Sequence, residues 1–225
     1  MLIETLFQNP MIFVLWVAAV VVALTVHEFS HGFSARLQGD PTAELEGRLT
    51  LNPLEHIDWL GFFLLVVAGF GWAKPTPYNP YNLKYKKWGG ALVAIAGPIS
   101  NFAVAALIAI GLVVGVSVLG LDADNYMIIF FTLTFYVNIL LGVFNLIPIP
   151  PLDGSKILYS FIGDKRPDIV LTMERYGMFM LLALIIFGDV FLWRLISFFM
   201  AIYQYVIALV SPETATAILR ALSKL

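Results

Sequence analysis

Five consecutive residues carry the first chemical signal in this chain: His27-Glu28-Phe29-Ser30-His31. On a helix, positions i and i+4 sit one above the other, so both imidazoles can reach one metal ion. Glu28 stands one residue along from His27, where its carboxylate can hold and deprotonate a metal-associated water rather than act as a ligand. His-Glu-x-x-His on a helix is the pattern of a zinc-dependent hydrolytic centre.

Two histidines leave such a centre one protein ligand short, because a catalytic zinc keeps three protein ligands and one open position. The chain has no cysteine, and its third histidine is His56. The best candidate is Asp153, in the run Asn145-Leu-Ile-Pro-Ile-Pro-Pro-Leu-Asp153-Gly154. Pro148, Pro150 and Pro151 remove backbone donors and stop a helix there. Unwound backbone at membrane depth is tolerated only where it lines a cavity or is buried in protein, which suits a carboxylate brought to a metal. Zn²⁺ with two neutral imidazoles and the carboxylates of Asp153 and Glu28 carries no net charge, the form least penalised at low dielectric. Taken alone, Asp153 also reads as a helix-capping aspartate.

The elements that position these residues are membrane spans. The chain has 225 residues, 60% hydrophobic and only 12% charged, with a mean hydropathy of +0.88. Soluble domains carry about 25% charge. That excludes a soluble enzyme and a disordered tail, and a net charge of −2 excludes a nucleic-acid binder. The histidines could merely anchor a helix at lipid headgroups. An ionisable residue inside a membrane costs about 2.5–3.5 kcal/mol, however, and such residues are usually functional.

Apolar runs long enough to cross occupy residues 10–35, 89–119, 126–147 and 176–210, the last interrupted at Gly188-Asp189 and read as a helical pair. The run 59–72 is short and holds Gly61, Gly69 and Gly71; it reads as a re-entrant or interfacial hairpin. The expected fold is therefore an all-α polytopic membrane protein, with about five transmembrane helices and a re-entrant or extended insertion between the first and second. Residues 1–225 read as a single membrane-embedded domain. The N-terminus lacks a basic leader region and reads as a retained helix.

Arg36, Arg48, Lys74, Lys84, Lys86 and Lys87 fall between the first two spans, Lys156, Lys165, Arg166 and Arg175 after the third, and Arg220 and Lys224 in the tail. Five spans put all of these on one side. The positive-inside rule then places the N-terminus outside and the C-terminus and active-site access in the cytoplasm.

With these segments in hand, the chain resembles the site-2 protease family, intramembrane zinc metalloproteases that cut membrane-embedded helices of other proteins. The resemblance rests on His27-Glu28-x-x-His31, Gly47-Arg-Leu-Thr-Leu-Asn-Pro-Leu-Glu-His56-Ile-Asp58, Gly71-Trp-Ala-Lys-Pro75, Ala96-Gly-Pro-Ile-Ser-Asn101 and the Asn145 to Asp153-Gly154 run. It implies that His27, His31 and Asp153 ligate one zinc, that Glu28 is the general base, and that Asn145 helps hold the scissile carbonyl or its oxyanion. An interhelical hydrogen bond is the other account of Asn145. His56 and Asp58 follow the family pattern and are expected to orient a loop, pair with each other or stand behind the ligands. Asn101 reads as packing between spans. Neither a PDZ module nor a CBS pair fits in 225 residues, so a minimal form is expected.

The implied partners are a substrate helix and the lipid bilayer, with no nucleic acid; the oligomeric state is open. The expected location is a bacterial or archaeal cell membrane. Segments 48–51 and 74–82 could hold an unwound substrate strand by edge pairing, although Pro75, Pro77 and Pro80 lack the donors. A zinc-binding membrane transporter or scaffold would use the same ligands but gives Glu28 no task. A metalloprotease of another family would need Glu174 or Glu213 as third ligand, and neither lies in a comparable motif.

Overall fold

The computed structural model describes residues 2–68 and 71–223. Over these residues the chain is a helical bundle, and its one β-type pairing is an antiparallel bridge between Ile57 and Ala73. Five helices are long and apolar enough to cross a membrane.

A short helix α1 (Leu2–Gln8) leads into α2 (Pro10–Leu37). Asn9 starts α2 by accepting the Ile12 N–H, with Pro10 at the first position. At 1.5 Å per residue, α2 is about 42 Å long, against about 30 Å of hydrocarbon. Its C-terminal turns can therefore extend into the interface. The buried face of α2 repeats every fourth residue: Ala19, Ala23, His27, His31 and Ala35. Small side chains on such a stripe let neighbouring helices approach closely, and the two imidazoles occupy the same stripe.

After α2, Gly39 turns the chain with φ at +98°, a conformation only glycine adopts without strain. Helix α3 (Thr42–Leu45) and a helical turn Pro53–Glu55 precede α4 (Trp59–Ala68). The chain then returns from Gly71, pairing Ala73 with Ile57 and donating Lys74 N–H to the His56 carbonyl at 2.9 Å. A Cβ on Gly71 would collide with the Gly61 carbonyl, so these two glycines let the legs touch. The insertion is thus a hairpin with one helical and one extended leg; Gly69, counted in the sequence reading, lies outside the described residues, as does Lys224.

Helix α5 (Gly89–Val113) continues through a wider π-type turn, Val114–Val118. Helix α6 (Tyr126–Asn145), capped by Asn125, is the central span: about three-fifths of its apolar stretch is buried. One side of α6 packs Ile128, Phe135, Ile139 and Val143 against Ala105, Ala109 and Leu112 of α5. Another packs Ile129, Leu133 and Val137 against Ala19, Val20 and Ala23 of α2. The proline-rich turn leads into α7 (Asp153–Ile162).

Helices α8 (Pro167–Phe187) and α9 (Asp189–Val210) form the expected pair, turning at Gly188. The fourth span begins at Pro167 rather than near residue 176. Proline at the first position and Asp168 in the first turn start a helix that polar residues hide from a hydropathy reading. Large apolar side chains on α8 and α9, including Phe179, Phe187, Trp193 and Leu209, are exposed as lipid-facing groups would be. The C-terminal stretch folds as an amphipathic helix, α10 (Pro212–Leu222), that seats Ala215 and Ile218 in the core shared with α6 and α9. By hydropathy alone this stretch reads as a tail, because its polar residues break any continuous apolar run.

Two measurements test this architecture. Single cysteines replacing Tyr81 and Asp122, both exposed, should label from opposite faces of the membrane, and labelling from one face would overturn the five-span arrangement. The second concerns Asp40, buried just beyond α2. Burial would raise its carboxyl, but hydrogen bonds from Thr42, Asn82 and the Asn79 amide outweigh this and hold it below the ordinary value. A depressed folded-state pKa stabilises above the unfolded value and is lost as pH falls through the folded one. The 79–82 turn should therefore stay docked at mildly acidic pH and loosen only below about pH 4. Amide exchange at Asn79 and Asn82 reads this, and Asp40→Asn should remove the pH dependence.

Candidate metal centre

Three side chains far apart in sequence meet at one point. His27 and His31 project from α2, and Asp153 from the first turn of α7. Asp153 Oδ2 lies 3.1 Å from His27 Nε2 and 3.2 Å from His31 Nε2. The three ligand atoms are all within 4.8 Å of one another, and all three residues are buried. Tetrahedral zinc with bonds of about 2.0–2.1 Å separates its ligand atoms by roughly 3.3–3.4 Å. The donor set fits a zinc ion in kind, number and spacing.

Ring orientation fits as well. His31 Nδ1 donates to the Val93 carbonyl at 2.8 Å. His27 Nδ1 lies 2.6 Å from Asn101 Oδ1. The Asn101 amide nitrogen donates to the Ala23 carbonyl (3.2 Å) and to Asn138 Oδ1 (2.9 Å), so its oxygen must face His27 and accept. Asn138 in turn donates to the Thr134 carbonyl at 2.8 Å. Both Nδ1 atoms therefore carry the proton, and both Nε2 lone pairs point at the shared space with Asp153.

Asn101 is fully buried and does more than pack spans together: it holds the His27 tautomer, a correction to the sequence reading. The signal was its spacing. Gly97 and Asn101 sit one turn apart on α5, and a Cβ at Gly97 would come within 2.6–2.7 Å of both imidazoles. Gly97 thus makes room for the rings while Asn101 orients one of them.

Asp153 reaches the site because Gly154 folds the start of α7 onto the end of α6; any side chain there would collide with the Leu146 and Ile147 carbonyls. A metal would take Asp153 as its carboxylate anion.

Glu28 lines the same cavity, of about 230 Å³. The Thr76 N–H donates to its Oε2 at 2.8 Å, and Thr76 Oγ1 donates to the Glu28 carbonyl at 3.0 Å. Sequence reading missed Thr76, though Pro75 and Pro77 beside it have no N–H, leaving Thr76 the one donor in that stretch. The buried Arg48 donates to the Lys74 carbonyl at 2.7 Å and secures this leg from behind. The 74–82 segment forms no strand.

Asn145 also lines the cavity, with its amide nitrogen donating to the Leu141 carbonyl of its own helix at 3.0 Å. Lys156 reaches the rim, its ammonium 5.6 Å from the Tyr78 ring centroid. His56 and Asp58 stand apart from the three ligands. His56 donates through Nε2 to the Thr50 carbonyl at 2.8 Å, and Asp58 accepts the Gly61 N–H at 2.9 Å and so caps α4. Their hydrogen bonds brace the hairpin.

Comparison with known proteins points the same way. Residues 113–188 match the model of peptidase family M50. The chain is 37% identical over 187 residues to YwhC of Bacillus subtilis, named as a zinc metalloprotease, covering 80% of this chain and 85% of that protein. It is 28% identical over 205 residues to Rip2 of Mycolicibacterium smegmatis, also so named, covering 86% and 73%. A third protein with such a name, from Methanocaldococcus jannaschii, is 28% identical over 148 residues, covering 66% and 71%. No solved structure matches the chain.

The Asn101 contact predicts that Asn101→Ala, which frees the His27 ring to rotate or change tautomer, lowers zinc affinity by about 10–100-fold. Zinc retained per chain against a competing chelator measures this. Asn138→Ala should act in the same direction more weakly, and wild-type affinity in both would mean that packing alone orients the ring.

Proposed function

The chain belongs to peptidase family M50, and from that premise we propose that its zinc is held by His27, His31 and Asp153 and that Glu28 is the general base. It is an intramembrane zinc metalloprotease acting on membrane proteins in a lipid environment. The observation that carries the residue assignment is the convergence of two proton-committed imidazoles and one buried carboxylate beside a second carboxylate in the same cavity.

Zinc bound by this set supplies a Lewis acid for a carbonyl and for a water. The residues do the rest. Thr76 holds Glu28 Oε2, which leaves Oε1 to take a proton from a water in the cavity. Water adds to the scissile carbonyl carbon, the C–N bond breaks, and Glu28 returns the proton to the leaving amine. Asn145, on the cavity wall, is placed to donate to the carbonyl oxygen with the amide hydrogen that Leu141 does not use. A helical substrate must unwind locally first, since its carbonyls are engaged in i→i−4 bonds. The reading is therefore hydrolysis within transmembrane segments.

Residues 1–225 read as one membrane-embedded unit, supported by a site assembled from α2, α5, α6 and α7. Counting Lys and Arg supports an N-terminus outside, a C-terminus inside and access from the cytoplasm of a bacterial or archaeal cell. The transporter or scaffold alternative is disfavoured because Glu28 is buried and oriented by a backbone amide, a cost without benefit if nothing is hydrolysed.

Glu28→Gln keeps the shape and the metal ligands. It should retain wild-type zinc and lose at least about 10²–10⁴-fold in cleavage rate of a reporter helix. Asp153→Ala should instead lose zinc. Cleavage by Glu28→Gln at the wild-type rate would end the general-base assignment, and unchanged zinc in Asp153→Ala would require a different third ligand.

A further inference from the structure

Beside the catalytic cavity lies a second chamber, of about 300 Å³, whose walls are almost wholly apolar. Leu24, Gly71, Trp72, Ala73, Leu141 and Phe144 line both spaces, so the two share a partition rather than merely lying near each other. The remaining walls include Trp16 and Val20 of α2, Phe62 and Leu65 of α4, Leu140 of α6 and Ile185 of α8. Among the described residues Asp58 is the sole charged one in the lining, and its Oδ1 is occupied by the Gly61 N–H.

Resting on the protease reading above, we propose that this chamber is the specificity pocket: it receives one large apolar side chain of the substrate, from a residue next to or near the scissile bond. A peptide bond presented to Glu28 lies in unwound chain. Extended residues advance about 3.3 Å each and send alternate side chains to opposite faces. A chain threading the catalytic cavity therefore places a near neighbour of the scissile residue against the shared wall. The volume suits one such side chain, standing at the lower end of small-ligand pockets, about 300–1,000 Å³. The lining decides the chemistry, since apart from Asp58 its described residues are apolar and favour an apolar side chain. An acyl chain of the bilayer is the competing occupant. The shared partition with the cavity holding Glu28 and Asn145 favours the substrate.

The test uses the full chain in bilayers and reporter helices identical except for Phe or Ala at each position flanking the cleaved bond. Wild type should prefer Phe at one position by about 10-fold or more in kcat/KM. Leu140→Trp, which fills the chamber, should shrink that ratio towards one. Phe62→Ala, which enlarges it, should shift preference towards Trp at the same position. Opposite movements separate a specificity effect from general damage, and zinc content checks the fold of each variant. A wild type indifferent to Phe and Ala at every position overturns the proposal, as does a preference that neither variant moves, the result expected of a lipid-filled groove. If Glu28→Gln cleaves like wild type, the general-base assignment fails instead. If Glu28→Gln is dead while preference ignores the chamber, only the pocket fails.

Discussion

Inside an apolar bundle no ring proton and no carboxylate can be left without a partner. Each unsatisfied polar group there costs about 1–3 kcal/mol, and an unpaired charge more. Two histidines offered to a metal bring two Nδ1 protons that need acceptors, and the structure supplies one from a backbone and one from a side chain. The side-chain route does not end at Asn101. It passes through Asn138 to the Thr134 carbonyl, so the relay terminates on main chain of the central helix. Glu28 terminates likewise on the Thr76 amide. Every branch of the network ends on a group that cannot rotate away, and that is how flexible side chains come to hold fixed positions.

The same constraint explains the helix surfaces. The buried stripe of α2 is alanine except where it is histidine, and on α5 Gly97 and Asn101 meet the two histidines. Small residues set how near the two helices come, and that distance is also the reach of the His27–Asn101 hydrogen bond. Packing and ligand orientation are one degree of freedom. A bulky residue at Gly97 would press on both imidazoles and push the helices apart at once.

How much of this was legible beforehand follows from the range of each interaction. The spans announce themselves as long apolar runs, and the histidine pair is a local i, i+4 pattern. Asp153 was readable because three prolines and a glycine mark a broken helix end. Asn101 and Thr76 were not, since their partners lie 74 and 48 residues away and neither residue type is diagnostic alone. Helices α7 and α10 escaped because amphipathic segments balance polar and apolar residues and leave no continuous run. The match to the family model, over residues 113–188, contains Asn145 and Asp153 but neither histidine; the longer alignments to relatives carry the identification.

The insertion between α2 and α5 supplies what parallel spans cannot. Helices can bring ligands together, but away from their first turns their backbone donors are spent within the helix, so none is left at mid-span to orient a carboxylate. The return leg of the hairpin provides that donor, and proline on either side ensures that Thr76 has no competitor for the role. Supplying it has a consequence for substrate binding. Lys74 N–H is committed to His56 and Thr76 N–H to Glu28, while Pro75 and Pro77 have none to offer. This stretch has few donors left for a ladder of hydrogen bonds to an unwound substrate, which weighs against edge pairing along 74–77. The apolar walls that the hairpin shares with α2 and α6 then remain as a surface for the side chains of an extended segment.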